Sequence, residues 1–193
     1  MKTSTINLTI EGITPILLNR FSDEAAAKAT SQTGSSLVGN KGTPKQQAVK
    51  KLYLDEAKKS CVPGPNVFRC LIDAGKYFKN GKSKVTTLKS SLIPACIELH
   101  ELMIPIVSKE GWQVDTRPVR IPATGGRILA HRPSYNDWKL SFTLTVDEEM
   151  MDVALVRDIV DAAGRRVGLG DFRPDCKGPF GKFVVTSWKN GKK

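Results

Sequence analysis

Two stretches of this chain carry apolar residues at helical spacing, each set between stretches that alternate apolar and polar residues, and that order constrains the fold most. In "VPGPNVFRCLIDAGKYFK", Val67, Cys70, Leu71, Ala74, Tyr77 and Phe78 fall on one helical face. Pro65 suits the first turn, where a missing N–H leaves no intrahelical bond unmade. Residues 148 to 163 repeat the pattern with Met151, Leu155, Ile159 and Ala162, and acidic residues at the start predict a helix beginning near Asp147. Ile6, Leu8 and Ile10 alternate before a bend at Gly12 and Pro15. Leu140, Phe142, Leu144 and Val146 alternate in "WKLSFTLTV", and "GKFVVTSW" supplies a last strand. "ACIELHELMIPIV", residues 95 to 107, reads as a further strand broken at Pro105. The order β, α, β, β, α, β predicts an α+β protein with a ferredoxin-like, modified RRM core, both helices covering one face of an antiparallel sheet.

Length asks for one domain over residues 1–193, and two segments stand outside its periodic core. The first, about residues 21–61, loses apolar periodicity, although "TPKQQAVKKLYLDEAKK" can hold a short helix; long loops of this kind are commonly functional. The second, about residues 108–136, has a "TGG" centre between "RPVRIP" and "RILAHRP", the pattern of a projecting β-hairpin.

Thirty Lys and Arg against nineteen Asp and Glu leave a net charge of +11, the balance of a protein that meets polyanions. No apolar run reaches the length that spans a bilayer, so the expected location is cytoplasmic and no membrane partner is expected. Four cysteines without a CxxC pair, and no carboxylate cluster, give no reason to expect zinc, Mg²⁺ or another cofactor.

The cations fall in three groups. "GRRVGLGDFRPDCKGPFGKF" combines Arg165, Arg166, Arg173, Lys177 and Lys182 with Gly168, Gly170, Gly178 and Gly181. It fits neither a Walker loop nor a dinucleotide fingerprint, and "GPFG" matches the KH clamp only as a short string. Glycine N–H groups approaching an anion, flanking cations, and Phe172 and Phe180 stacking on bases are the expected roles. A second group spans residues 41 to 89, with twelve cations against three acids, including Lys45, Lys50, Lys51 and Arg69; Arg20 precedes it. Such lysines bind backbone without sequence preference. In the hairpin, Arg117, Arg120, Arg127, His131 and Arg132 have only Asp115 nearby, too few acids to pair them, and arginine suits a bidentate phosphate grip. No catalytic motif is evident: His100 and His131 are 31 residues apart, and no catalytic residue is assigned.

"GITPILLNRF", "VPGPNVFRCLIDAGK" and "AAGRRVGLGDFRPDCKGPFGKFVV" together resemble the RAMP superfamily of CRISPR-associated proteins. The likeness is nearest to the guide-RNA-binding backbone subunit of Cascade-type effector complexes and small phage-encoded relatives. It covers residues 5 to 20, 62 to 79 and 138 to 188. It implies subunits stacked head to tail along single-stranded RNA, copies of the chain and other effector subunits as partners, and a thumb hairpin around residues 113 to 135. The family's glycine loop falls on Gly168, Gly170, Arg173, Gly178 and Gly181. Asp23 lies in the insertion where target-cleaving members carry an aspartate, without the supporting context, and neither histidine sits in a processing motif. Binding without cleavage is therefore the expectation. A RAMP-type endonuclease using His100 or His131, and a phage single-stranded DNA-binding or recombination protein, stay open as alternatives.

Overall fold

Strand β1 (Thr3–Gly12) turns Ile6, Leu8 and Ile10 inward, as its alternation requires, and bends into the two-residue strand β2 (Ile16–Leu17). The computed structural model describes residues 2–21, 42–120 and 125–191. Residues 22–41 of the expected insertion, Asp23 included, lie outside the described residues, as does Thr124 of the "TGG" centre.

Helix α1 (Pro44–Val49) starts on a capping box: the Thr43 hydroxyl accepts from the Gln46 N–H, and the Gln46 side chain accepts from the Thr43 N–H. Strand β3 (Cys61–Pro63) runs directly into α2 (Gly64–Gly75), whose buried Val67, Cys70, Leu71 and Ala74 are the predicted stripe. Tyr77 and Phe78 fall just past its end, so the helix stops before the apolar spacing does. The short pair β4 (Lys79–Asn80) and β5 (Ser83–Lys84) follows.

The segment 95–107 breaks differently from expectation. A single turn α3 (Ile93–Cys96) leads into β6 (Ile97–Leu99), and the chain crosses at residues 100–102 to β7 (Met103–Pro105). Pro105 ends a strand instead of splitting one, because β6 and β7 pair with different partners: β6 with the main sheet, β7 with β3. Strands β8 (Gln113–Arg120) and β9 (Arg127–Tyr135) form an antiparallel hairpin in which Arg120 stands opposite Arg127.

Strand β10 (Lys139–Asp147) is followed by α4 (Val153–Ala162). This helix begins later than expected, because Asp147 ends β10 and its carboxylate accepts the Glu149 N–H in a turn. The cap is Asp152, which accepts from the Ala154 N–H. A π-helical turn (Ala163–Val167), closed by the Gly168 N–H donating to the Ala163 carbonyl at 2.8 Å, extends α4. A 3₁₀ turn (Pro174–Cys176) and β11 (Phe183–Asn190) complete the chain.

The architecture is α+β. The main sheet has strand order β11-β1-β10-β6 with every neighbouring pair antiparallel. Register sets Ile6 against Leu144, Leu8 against Phe142 and Ile10 against Leu140, all buried beneath α2 and α4. The opposite face carries Thr9 bonded to Ser141 and Thr143 bonded to Asn7, a polar surface without the aromatic rings of an RRM sheet. Among the described residues no helix is long and apolar enough to cross a membrane.

Candidate nucleic-acid interface

Three cation-bearing segments that are distant in sequence meet at one end of the sheet. Helix α1 packs on β9 and β8. The Leu18 N–H donates to the Pro133 carbonyl at 2.9 Å and the Arg20 N–H to the Lys51 carbonyl at 3.0 Å, so Arg20, Lys50 and Lys51 are drawn to the hairpin base. Lys45 and Lys50 lie exposed on or beside α1.

The glycine-rich loop docks against the hairpin through two contacts. Arg132 Nε lies 2.6 Å from Asp171 Oδ2, and the Arg117 guanidinium lies 4.7 Å from the centre of the Phe180 ring. Asp115 holds Arg117 Nε at 2.9 Å with both carboxylate oxygens. Two of the four hairpin arginines thus find acids. Asp115 holds Arg117 and Asp171 holds Arg132, the second acid coming from a segment remote in sequence. Arg120 and Arg127 are left exposed with no acidic partner among the described residues. His131 is buried, its Nδ1 2.8 Å from the Thr116 hydroxyl, and serves the hairpin's interior rather than its surface.

The expected glycine cradle is also different in kind. The N–H groups of Gly168, Gly178 and Gly181 donate to the carbonyls of Ala163, Arg173 and Pro15, and that of Asp171 to Leu17, so these donors are not available to a phosphate. Gly168, Gly170 and Gly181 have φ of +76°, +77° and +69°, and a Cβ on Gly170 or Gly181 would overlap the backbone of Leu17 or Leu169. These glycines allow close backbone packing. Phe180 is buried and packs 6.1 Å from Phe172, leaving only Phe172 exposed enough to meet a base.

The remaining predicted residues divide between paired and open. Arg173 donates to the Gly170 carbonyl at 3.2 Å and approaches Asp175, while Arg69 pairs with Asp73 one helical turn on. The Arg166 guanidinium lies over the Tyr77 ring, and Arg165 and Lys177 are exposed. Lys182 fixes the loop to β1 through its backbone, donating to the Thr14 hydroxyl and accepting from Ile13.

Between α2, β2 and the loop lies a cavity of about 260 Å³, lined by Asn19, Tyr53, Asn66, Arg69 and Arg173 over the apolar side chains of Leu18 and Leu169. Asn19, Tyr53 and Asn66 carry no local motif and come from three segments, so spacing along the chain has no signal for them. Cys70 also lines the cavity; burial pushes its thiol pKa far up, and its S–H points to the Gly168 and Ala163 carbonyls, which makes it inert. Among the described residues no group of His, Cys, Asp and Glu side chains could hold a metal ion.

No protein-family model and no curated protein matches this sequence. Among solved structures, a chain from the cryo-electron microscopy structure of the Type III-B Cmr-beta complex bound to cognate target RNA is similar to it. The TM-score is 0.62 at 11% identity, covering 99% of this chain and 61% of that one. This chain therefore spans less than two thirds of its neighbour's length, and what the two share is the fold of a CRISPR-complex chain.

Proposed function

We propose that this chain is a non-catalytic RAMP-type subunit with a ferredoxin-like core. It binds single-stranded RNA in a CRISPR-type or phage-encoded complex in the cytoplasm. The observation that carries the reading is the convergence of hairpin, α1 and glycine-rich loop at one end of the sheet, with Arg120 and Arg127 exposed and without an acidic partner among the described residues. Arginine forks there grip phosphates, and Phe172 offers a ring to a base. The fold shared with a chain of an RNA-bound Cmr-beta complex supports RNA and other complex subunits as partners. Head-to-tail stacking of copies, with the β8–β9 hairpin as the thumb, is part of the same proposal.

Binding rather than cleavage is supported by the histidines' surroundings. His131 is buried against Thr116, and His100 Nε2 bonds to the Thr145 hydroxyl at 2.8 Å, so each imidazole is held by a threonine hydroxyl.

The test is binding of fluorescent single-stranded RNA and DNA of one sequence across a salt series. RNA is expected to bind tighter, and Arg120→Ala with Arg127→Ala to reduce the slope of log K against log salt by about 0.7 for each phosphate that the variant no longer neutralises. Equal slopes for wild type and double variant would remove the hairpin from the interface. Tighter DNA binding would favour the single-stranded DNA reading.

A further inference from the structure

The fold divides the lysine-rich segment 41–89 into two places. Lys45, Lys50 and Lys51 join the hairpin, whereas Lys79, Lys82 and Lys84 sit on or between β4 and β5. That small ladder pairs Lys79 with Lys84 and Asn80 with Ser83, and Gly81 at φ +60° makes its turn. It is anchored: the Asn80 amide donates to the Met150 carbonyl at 2.7 Å, and the buried Val85 donates its N–H to Phe78 at 3.1 Å.

Met150 follows the end of β10 where Asp147 pairs with Thr3 at the start of β1. The glycine-rich loop meets the other end of β1, where the Ile13 N–H donates to the Lys182 carbonyl. At about 3.3 Å per residue the strand separates the two ends by roughly 30 Å. The loop reaches back along the helix side, where Asp175 pairs with Lys76, but the ladder is anchored at the Met150 end of the sheet, whereas Arg120 and Arg127 form the last pair of the β8–β9 hairpin.

Between residues 76 and 89 there are five lysines and no acid. The acids that approach from neighbouring elements are engaged: Glu148 and Glu149 by Lys2, Asp175 by Lys76, and Asp73 by Arg69. On the helix side, the half-exposed Tyr77 ring has the Arg166 guanidinium at 4.8 Å and the Lys76 ammonium at 5.2 Å. An exposed guanidinium held over a ring is a surface on which a base can stack.

We propose that Lys79, Lys82 and Lys84, with Arg166 stacked on Tyr77, form a second nucleic-acid-binding face for the phosphate backbone of a strand other than the one the hairpin grips. It extends the reading of this chain as a nucleic-acid-binding protein and rests on it. Lysine point charges on a short anchored ladder give affinity without sequence preference and with strong salt dependence.

The experiment is native mass spectrometry of the full chain with single-stranded RNA of about six nucleotides, too short to reach both ends of the sheet and within the usual size of one single-strand site. Two oligonucleotides per protomer are expected. Replacing Lys79, Lys82 and Lys84 by alanine should leave one, and so should Arg120→Ala with Arg127→Ala; the lysine-to-arginine triple variant should retain two. All these side chains are exposed, so circular dichroism melts should coincide. One oligonucleotide per protomer, undisturbed by the lysine replacements, overturns the second face and leaves the hairpin reading standing. No oligonucleotide bound overturns both.

Discussion

Arg132 Nε stands 2.6 Å from Asp171 Oδ2, tying β9 to the glycine-rich loop by an ion pair whose side chains are only 11% and 29% exposed. Neither atom has a hydrogen-bond partner, so the contact is held by charge and by the packing around it. Removing one member leaves the other shielded from water without a counter-ion. Asp171→Asn and Arg132→Ala should each lower stability in urea by about 1–3 kcal/mol, discounted from the fully buried case because both ends still see some solvent. In a double-mutant cycle the pair should couple by more than about 0.5 kcal/mol; additive losses would show that the contact contributes nothing.

Two glycines with nearly the same φ should respond differently to alanine. Gly81, φ +60°, has nothing within 4 Å of an added Cβ, whereas at Gly181, φ +69°, the Cβ would overlap the Leu169 carbonyl oxygen. Gly81→Ala bears only the left-handed backbone cost of about 1 kcal/mol. Gly181→Ala adds a clash with fixed backbone and should cost well over about 2 kcal/mol, seen as a much larger drop in the urea midpoint. Equal midpoints would mean that the loop is not packed as described.

The thiols should separate by burial. Cys176 is exposed, while Cys61, Cys70 and Cys96 are buried and their pKa values are pushed up by desolvation. Titration with a thiol-reactive disulfide should give one rapid equivalent in the native protein and all four after unfolding. Rapid native reaction of Cys70 would show that the wall between cavity and core opens.

Acid should loosen the start of the hairpin. Asp137 accepts from the Lys109 N–H at 2.6 Å and the Ser108 hydroxyl at 2.7 Å, which hold its carboxyl below the usual pKa. A carboxyl lowered on folding stabilises the native state above its unfolded pKa, about 3.9, and loses that contribution as pH falls through its native value. The urea midpoint of Asp137→Asn should therefore lie below that of wild type at neutral pH and converge with it under acid. A gap that stays constant down to pH about 2 would assign the difference to something other than this ionisation.

Much of the frame is legible in the sequence because it depends on local periodicity. Alternation at Ile6, Leu8 and Ile10 and at Leu140 through Val146, with the stripe from Val67 to Ala74, needs only a pleat and a 3.6-residue turn to become β1, β10 and α2. The start of α4 is not legible in the same way, because acidic residues near a helix start also cap turns; Asp147 does the latter and Asp152 the former. Nor is the role of Pro105, because strand partners, which decide where 95–107 divides, are non-local.

By itself the sequence determined the α+β class, the periodic elements β1, α2 and β10, the excess of cations and the segments that carry them, since these follow from composition and from repeats a few residues long. Which cations remain open was decided by the tertiary structure. Asp171 reaches Arg132 across the loop, Phe180 turns inward beneath Arg117, and the loop's N–H groups close on Ala163, Pro15 and Leu17. The same folding anchors the ladder of Lys79, Lys82 and Lys84 beside Met150, just past the end of β10. Charge pairing and backbone hydrogen bonding act over a few ångströms in space, whatever the distance along the chain.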